Sequence, residues 1–162
     1  MNGVTPSMTP EGEQFYKYLA LVRDSIFREL DAVPPEALNW SLGIPETNTL
    51  YASAFHAAGS TAYWMVAYVG GGSMERDRLA EFRTSGDLAS LKERWQGALD
   101  QGRAVLERLT ERDYDAPREV ALGPSAQQWP VRECLLHVLE HANTHLGHIQ
   151  LARQIWEREA KR

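Results

Sequence analysis

The chain has one cysteine, Cys134, among its 162 residues, and a single thiol excludes both an internal disulfide and a structural zinc site built on several thiolates. It has no basic surplus. Seventeen Lys and Arg against 22 Asp and Glu give a net charge of −5, which leaves nothing to displace the counterions of a phosphate backbone. Nucleic acid and anionic membrane surfaces are therefore excluded as partners. No run of about 18 apolar residues exists to span a bilayer, and the first twenty residues lack the basic start and apolar stretch of a signal peptide. A cytoplasmic location follows as the expectation. No alternating strand pattern is present, and neither is any internal repeat or low-complexity tract.

What is present is ordinary globular material, 43% hydrophobic and 24% charged. At this length one domain over residues 1–162 is expected, with residues 1–8 flexible. Such a domain buries enough surface to fold without a metal, so a metal here would serve chemistry or local order.

Four long helices are predicted. Thr9-Pro10-Glu11 supplies a capping hydroxyl, a first-turn proline and an acid near the positive helix end, and Phe15, Leu19, Val22, Ile26 and Leu30 then recur on one face to about Ala32. Pro34 and Pro35 end that helix, and one short turn is expected near Glu36–Trp40. Thr47, Asn48 or Thr49 can cap a second helix over Leu50–Val69, whose Ala, Ser and Gly residues admit a close neighbour before Gly70-Gly71-Gly72 stops it. The charged stretch Glu75–Arg83 reads as a solvated connection or short exposed helix. A third helix, capped by Ser85 or Asp87, runs to Leu109 on Leu88, Leu91, Trp95, Ala98 and Val105. Thr110–Trp129, with Pro117, Gly123 and Pro124, is a long connection, and Pro130 opens a last helix to about Glu159, roughly 45 Å long at 1.5 Å per residue. The fold class is all-α, a four-helix bundle with a long crossover connection before the last helix.

Histidine is the anomaly. His137, His141, His145 and His148, four of five, fall within twelve positions of the last helix. With His137 at zero and about 100° per residue, His148 lies near 20°, His141 near 40° and His145 near 80°, so all four share one stripe. An i, i+4 imidazole pair can close on one divalent ion, and both His137/His141 and His141/His145 have that spacing. A third ligand must come from elsewhere, and the remaining histidine is His56, among the small residues of helix two. No Glu-x-x-His occurs, which excludes a carboxylate-bridged di-iron bundle, and no His-Glu-x-x-His, which excludes the zinc protease pattern. A mononuclear site of neutral imidazoles remains, suited to zinc, nickel, iron or copper. Ser60 and Tyr63 follow His56 by four and seven residues on its face, where they can orient a substrate or bound water, although Tyr63 reads first as a packed aromatic with its hydroxyl at the rim. Cys134 shares the histidine stripe as a nucleophile, a ligand or simply a small buried hydrophobe. Glu140 lies off the stripe and is expected to face solvent or accept a hydrogen bond, a general-base role being the lesser reading.

The run Leu135 to Ile149, the segment Thr49 to Gly59, Trp64 and the turn Pro35 to Trp40 resemble the DinB-like (YfiT-like) metalloenzyme superfamily over nearly the whole chain. The resemblance implies a bundle that is commonly a homodimer, with a divalent transition metal (zinc, nickel or iron) on His56, His141 and His145. It further implies one of two chemistries on a small-molecule substrate. One is transfer or isomerisation with a low-molecular-weight thiol such as bacillithiol, mycothiol or glutathione, and the other is metal-assisted hydrolysis. A non-enzymatic metal-binding role in a stress response is the alternative. Where many members read His-x-x-x-His-Arg-Gly-Gln, this chain has Leu146 for the arginine and His148 for the glutamine. Any anion-holding role of that arginine is thereby lost, and His148 becomes a candidate first for supporting a ligand histidine, and otherwise for a fourth ligand or for acid–base work.

Overall fold

The computed structural model describes residues 7–122 and 125–161. Most of the segment expected to be flexible, positions 1–6, lies outside the described residues, as do Gly123 and Pro124 of the long connection. The elements run α1 (Pro10–Asp31), α2 (Pro35–Leu38), α3 (Leu50–Tyr63) with a π-helical continuation over Trp64–Val69, α4 (Arg78–Glu81), α5 (Leu88–Leu106), a 3₁₀ turn (Glu111–Asp115), β1 (Pro117–Val120), β2 (Gln127–Pro130) and α6 (Val131–Glu159). α3 packs against both α5 and α6, and α1 packs against the same two, so α1 and α3 occupy opposite corners of a four-helix bundle.

The caps fall where hydroxyl and carboxylate residues permit. The Thr9, Thr49 and Asp87 side chains accept from the backbone N–H groups of Gly12, Ala52 and Ser90, which satisfies donors that have no intrahelical partner. The apolar face of α1 is buried throughout, with Leu19, Ile26 and Leu30 fully enclosed. Trp95 of α5 is also fully buried, and its Nε1–H donates to the Ala54 carbonyl at 3.1 Å, which fixes α5 against the small-residue face of α3. The small residues of α3 from Ala52 to Ala62 are all buried, and α3 packs against α6 as well as α5.

Several boundaries differ from the sequence reading. α5 ends at Leu106 because Arg108 and Leu109 turn back on the Val105 and Leu106 carbonyls with tighter i to i+3 bonds. The last turn of the second long helix widens, with Gly70 N–H bonded to Met65 O and Gly72 N–H to Val66 O. The long connection is not structureless: β1 and β2 pair antiparallel, Pro117 opposite Pro130 and Val120 opposite Gln127. Only Val120 of this hairpin is fully buried, so its sequence carries no period-two apolar signal. No helix among the described residues is long and apolar enough to cross a membrane.

Candidate metal centre

His56 projects from the middle of α3 and His141 and His145 from successive turns of α6. The three rings converge: centroids lie 5.2 Å apart for His56 and His141, 4.7 Å for His56 and His145, and 4.6 Å for His141 and His145. One ring nitrogen from each lies within 4.8 Å of the others. His56 is 1% exposed and His145 8% exposed, while His141 opens toward a cleft. Burial holds the His141 and His145 rings well below the usual imidazole range, to about 4 and about 3, with the neighbouring rings and cations adding to the effect. Both are neutral near pH 7 and keep a lone pair for a metal.

The connection Glu75–Arg83, expected to be solvated, supplies the residue that fixes His56. Glu81, at the end of α4, is 4% exposed and its Oε2 lies 2.9 Å from His56 Nδ1. A carboxylate only accepts, so Nδ1 carries the hydrogen and the lone pair falls on Nε2, which points at His141. Arg76 donates to Glu81 Oε1 at 3.0 Å and Oε2 at 2.6 Å, and Arg94 donates to Oε1 at 3.1 Å. Burial pushes this carboxyl up, but the bonds from His56 and Arg76 outweigh it and hold the group down at about 2. Gly59 makes the arrangement possible, because a Cβ there would lie 2.1 Å from Glu81 Oε1 and 2.5 Å from Arg94 Nη2. Nothing in the sequence separates Glu81 from the exposed charges around it; the usable hint was a glycine one turn after His56.

The cleft beside His56 and His141 has a volume of about 650 Å³ and is lined also by Ser60, Tyr63, Trp64, Tyr68, Arg76, Arg78 and His137. Ser60 and Tyr63 thus share the face of His56, as their spacing requires. His137 lies half-buried against Trp64, with centroids 4.1 Å apart, and stands outside the group of three. His148 is exposed; it meets His145 edge-on at 5.6 Å and lines a different, smaller pocket with Ser53 and Leu151. It makes no hydrogen bond to His145 Nδ1 and does not line the cleft beside His56, which removes it from acid–base work there. Cys134 is fully buried, and burial raises its thiol to about 11, so it is core and neither nucleophile nor ligand here. Glu140 faces solvent, 3.7 Å from His137 Nδ1.

Two features test whether the residues fit a metal. His56 Nε2 and His141 Nε2 are 3.4 Å apart, close to the ~3.3 Å between two nitrogens bound tetrahedrally at ~2.05 Å to one zinc ion. His145 Nδ1 is buried without a hydrogen-bond partner among the described residues, an omission that costs about 1–3 kcal/mol unless the ring has another use. The residues fit.

Proton linkage gives the metal-free protein a defined acid sensitivity. Unfolded imidazoles take protons near pH 6.5, whereas folded His141 and His145 wait until about 4 and about 3, so between these limits the unfolded state binds more protons. Stability is complete above pH 6.5 and should fall as pH drops toward 4; urea midpoints that stay level across that window would contradict the burial of neutral rings. For the carboxylate, Glu81→Gln should weaken zinc binding about tenfold to a hundredfold, and Gly59→Ala should weaken it too by displacing Glu81 from His56. Competition with a chromophoric chelator reads both, and wild-type affinity in both variants would show that His56 needs no such support.

No curated protein matches this sequence. Solved structures do. A conserved protein from Enterococcus faecalis superimposes with a TM-score of 0.68 at 11% identity, covering 91% of this chain and 97% of that one. An uncharacterised protein from Clostridium difficile 630 gives 0.65 at 14% identity, covering 94% and 98%. A mycothiol-dependent maleylpyruvate isomerase gives 0.63 at 13% identity over 85% of this chain, which spans 60% of that protein. At these identities the likeness establishes a shared fold. The model of the DinB superfamily matches residues 18–149, which takes in all three converging histidines, and the chain belongs to that superfamily.

Proposed function

We propose that this DinB protein binds a divalent transition metal and acts as a metal-dependent enzyme that transfers a low-molecular-weight thiol to an electrophilic small molecule. One observation carries the reading: His56, His141 and His145 bring three ring nitrogens within 4.8 Å of one another beside a cleft of about 650 Å³, within the usual size range of small-molecule sites. These three residues would hold zinc, nickel or iron, since imidazole suits all of them. Bound there by neutral ligands, such an ion keeps its full double charge and lowers the pKa of a thiol or water bound to it.

The surrounding residues have separable tasks. Glu81 orients His56 and fixes its tautomer. Tyr63 lies edge-on to Tyr68, and its hydroxyl is raised above the usual phenol range by a hydrogen bond with Tyr68 and by burial, so it stays protonated as a donor at the cleft. Trp64 and His137, tilted at 45° with ring centroids 4.1 Å apart, form one wall of the cleft. Support for a thiol over water as the nucleophile comes from the isomerase, whose name states that it depends on mycothiol and which shares this fold. Metal-assisted hydrolysis uses the same residues and is the second chemistry. A closed metal staple, as in a non-enzymatic stress protein, needs a fourth protein ligand, and the natural candidate, His148, lines another pocket.

Single replacement of His56, His141 or His145 by Ala should reduce zinc affinity on the order of a hundredfold or more, whereas His137→Ala should change it far less. Conjugation of a low-molecular-weight thiol to an electrophilic dye should require zinc-loaded protein and fail in the first three variants. Equal affinity loss in His137→Ala would mean a different pair on α6 binds, and conjugation unaffected by the three replacements would overturn the enzymatic reading.

A further inference from the structure

The charges around the histidine cluster do not balance, and the imbalance names a ligand class; this step rests on the metal-binding reading above. Glu81 is shared by Arg76 and Arg94, two cations on one carboxylate. Arg78 adds a third cation at the cleft; it is exposed, its guanidinium packs 5.6 Å from the Phe82 ring centre, and no carboxylate pairs with it among the described residues. None of the described residues lining the cleft is Asp or Glu, in a chain whose net charge is −5. The three imidazoles contribute no compensating charge, and a divalent ion on them would add two more positive charges. Like charges gathered in a partly enclosed space raise one another's energy, and the arrangement is relieved when an anion enters.

We propose that the cleft is an anion site for a carboxylate-bearing small molecule, with Arg78 as the unpaired cation that recognises the carboxylate and the aromatic residues Tyr63, Tyr68 and His137 taking its apolar body. Arg76 is committed to Glu81 by two hydrogen bonds, which leaves Arg78 as the group able to turn toward a ligand. A guanidinium matches a carboxylate with two parallel N–H donors, and its long side chain at the rim can follow the ligand inward. The carboxylate can belong either to the electrophilic substrate or to the thiol partner, since both are small molecules entering the same cleft.

The test uses matched pairs that differ only in that charge: benzoate against benzamide, and N-acetylcysteine against its amide. Each is titrated by amide-resolved NMR into metal-free and zinc-loaded protein. The acid of at least one pair should bind about tenfold or more tighter than its amide, with shifts centred on the cleft, and the preference should weaken with salt. Preference in the first pair assigns the carboxylate to the substrate, and in the second to the thiol. Arg78→Gln should abolish the preference and Arg78→Lys should retain most of it; Arg78 is exposed, so both variants are expected to fold. Acid and amide binding alike in both pairs, or a preference untouched by Arg78→Gln, overturns the proposal. An Arg78-dependent preference in protein that takes up no zinc keeps it and overturns the metal reading, whereas zinc uptake without any preference does the reverse.

Discussion

Everything at this site depends on how closely α3 and α6 approach. Small residues on α3 remove the side-chain volume that would hold the helices apart, and His56 then reaches across to the two histidines that a single helical turn separates on α6. Clustering polar rings in a core is costly unless each has a partner. His56 has Glu81 on one nitrogen and His141 opposite the other, while His145 Nδ1 has no hydrogen-bond partner among the described residues. A bundle that needed only stability would fill this space with apolar side chains. Three converging imidazoles, one of them with a buried nitrogen left unpaired among the described residues, are instead what a metal site would need.

The electrostatics divide the surroundings into two layers with opposite sense. Next to His56 lies a buried carboxylate, held ionised by its bonds with His56 and Arg76, which makes the ring a better electron donor. Facing the cleft are cations and aromatic rings without a carboxylate among the described lining residues. The first layer favours a metal; the second favours what would come to it. Arg76 belongs to both, because it anchors Glu81 and also lines the cleft.

The helices were legible because their signals are local. Phe15, Leu19, Val22, Ile26 and Leu30 repeat at the helical period, and Thr9, Thr49 and Asp87 cap where short polar residues precede such runs. A histidine cluster was legible because His56 stands alone in an apolar helix and the others share a stripe, but spacing left His137/His141 and His141/His145 equal, and only the family resemblance chose the second pair. Glu81 was not, since a buried acid in a charged loop has the same sequence appearance as a solvated one and only tertiary contact tells them apart. The hairpin was equally hidden, with polar strand residues and a single buried valine. Helical angle placed Cys134 and His148 on the stripe with the rest, but a stripe about 80° wide spans both the core and a second pocket.

The central claim is that these three rings share one ion and leave it open to a small molecule. X-ray absorption at the metal edge, on protein purified without an affinity tag or chelator, addresses it most directly. The account predicts about one equivalent of a divalent transition metal with three nitrogen scatterers of imidazole type at ~2.0–2.1 Å and at least one further light-atom ligand that exchanges with added thiol. Metal-free protein that takes up no ion on reconstitution, or a closed shell of four protein ligands that added thiol leaves unchanged, would contradict it.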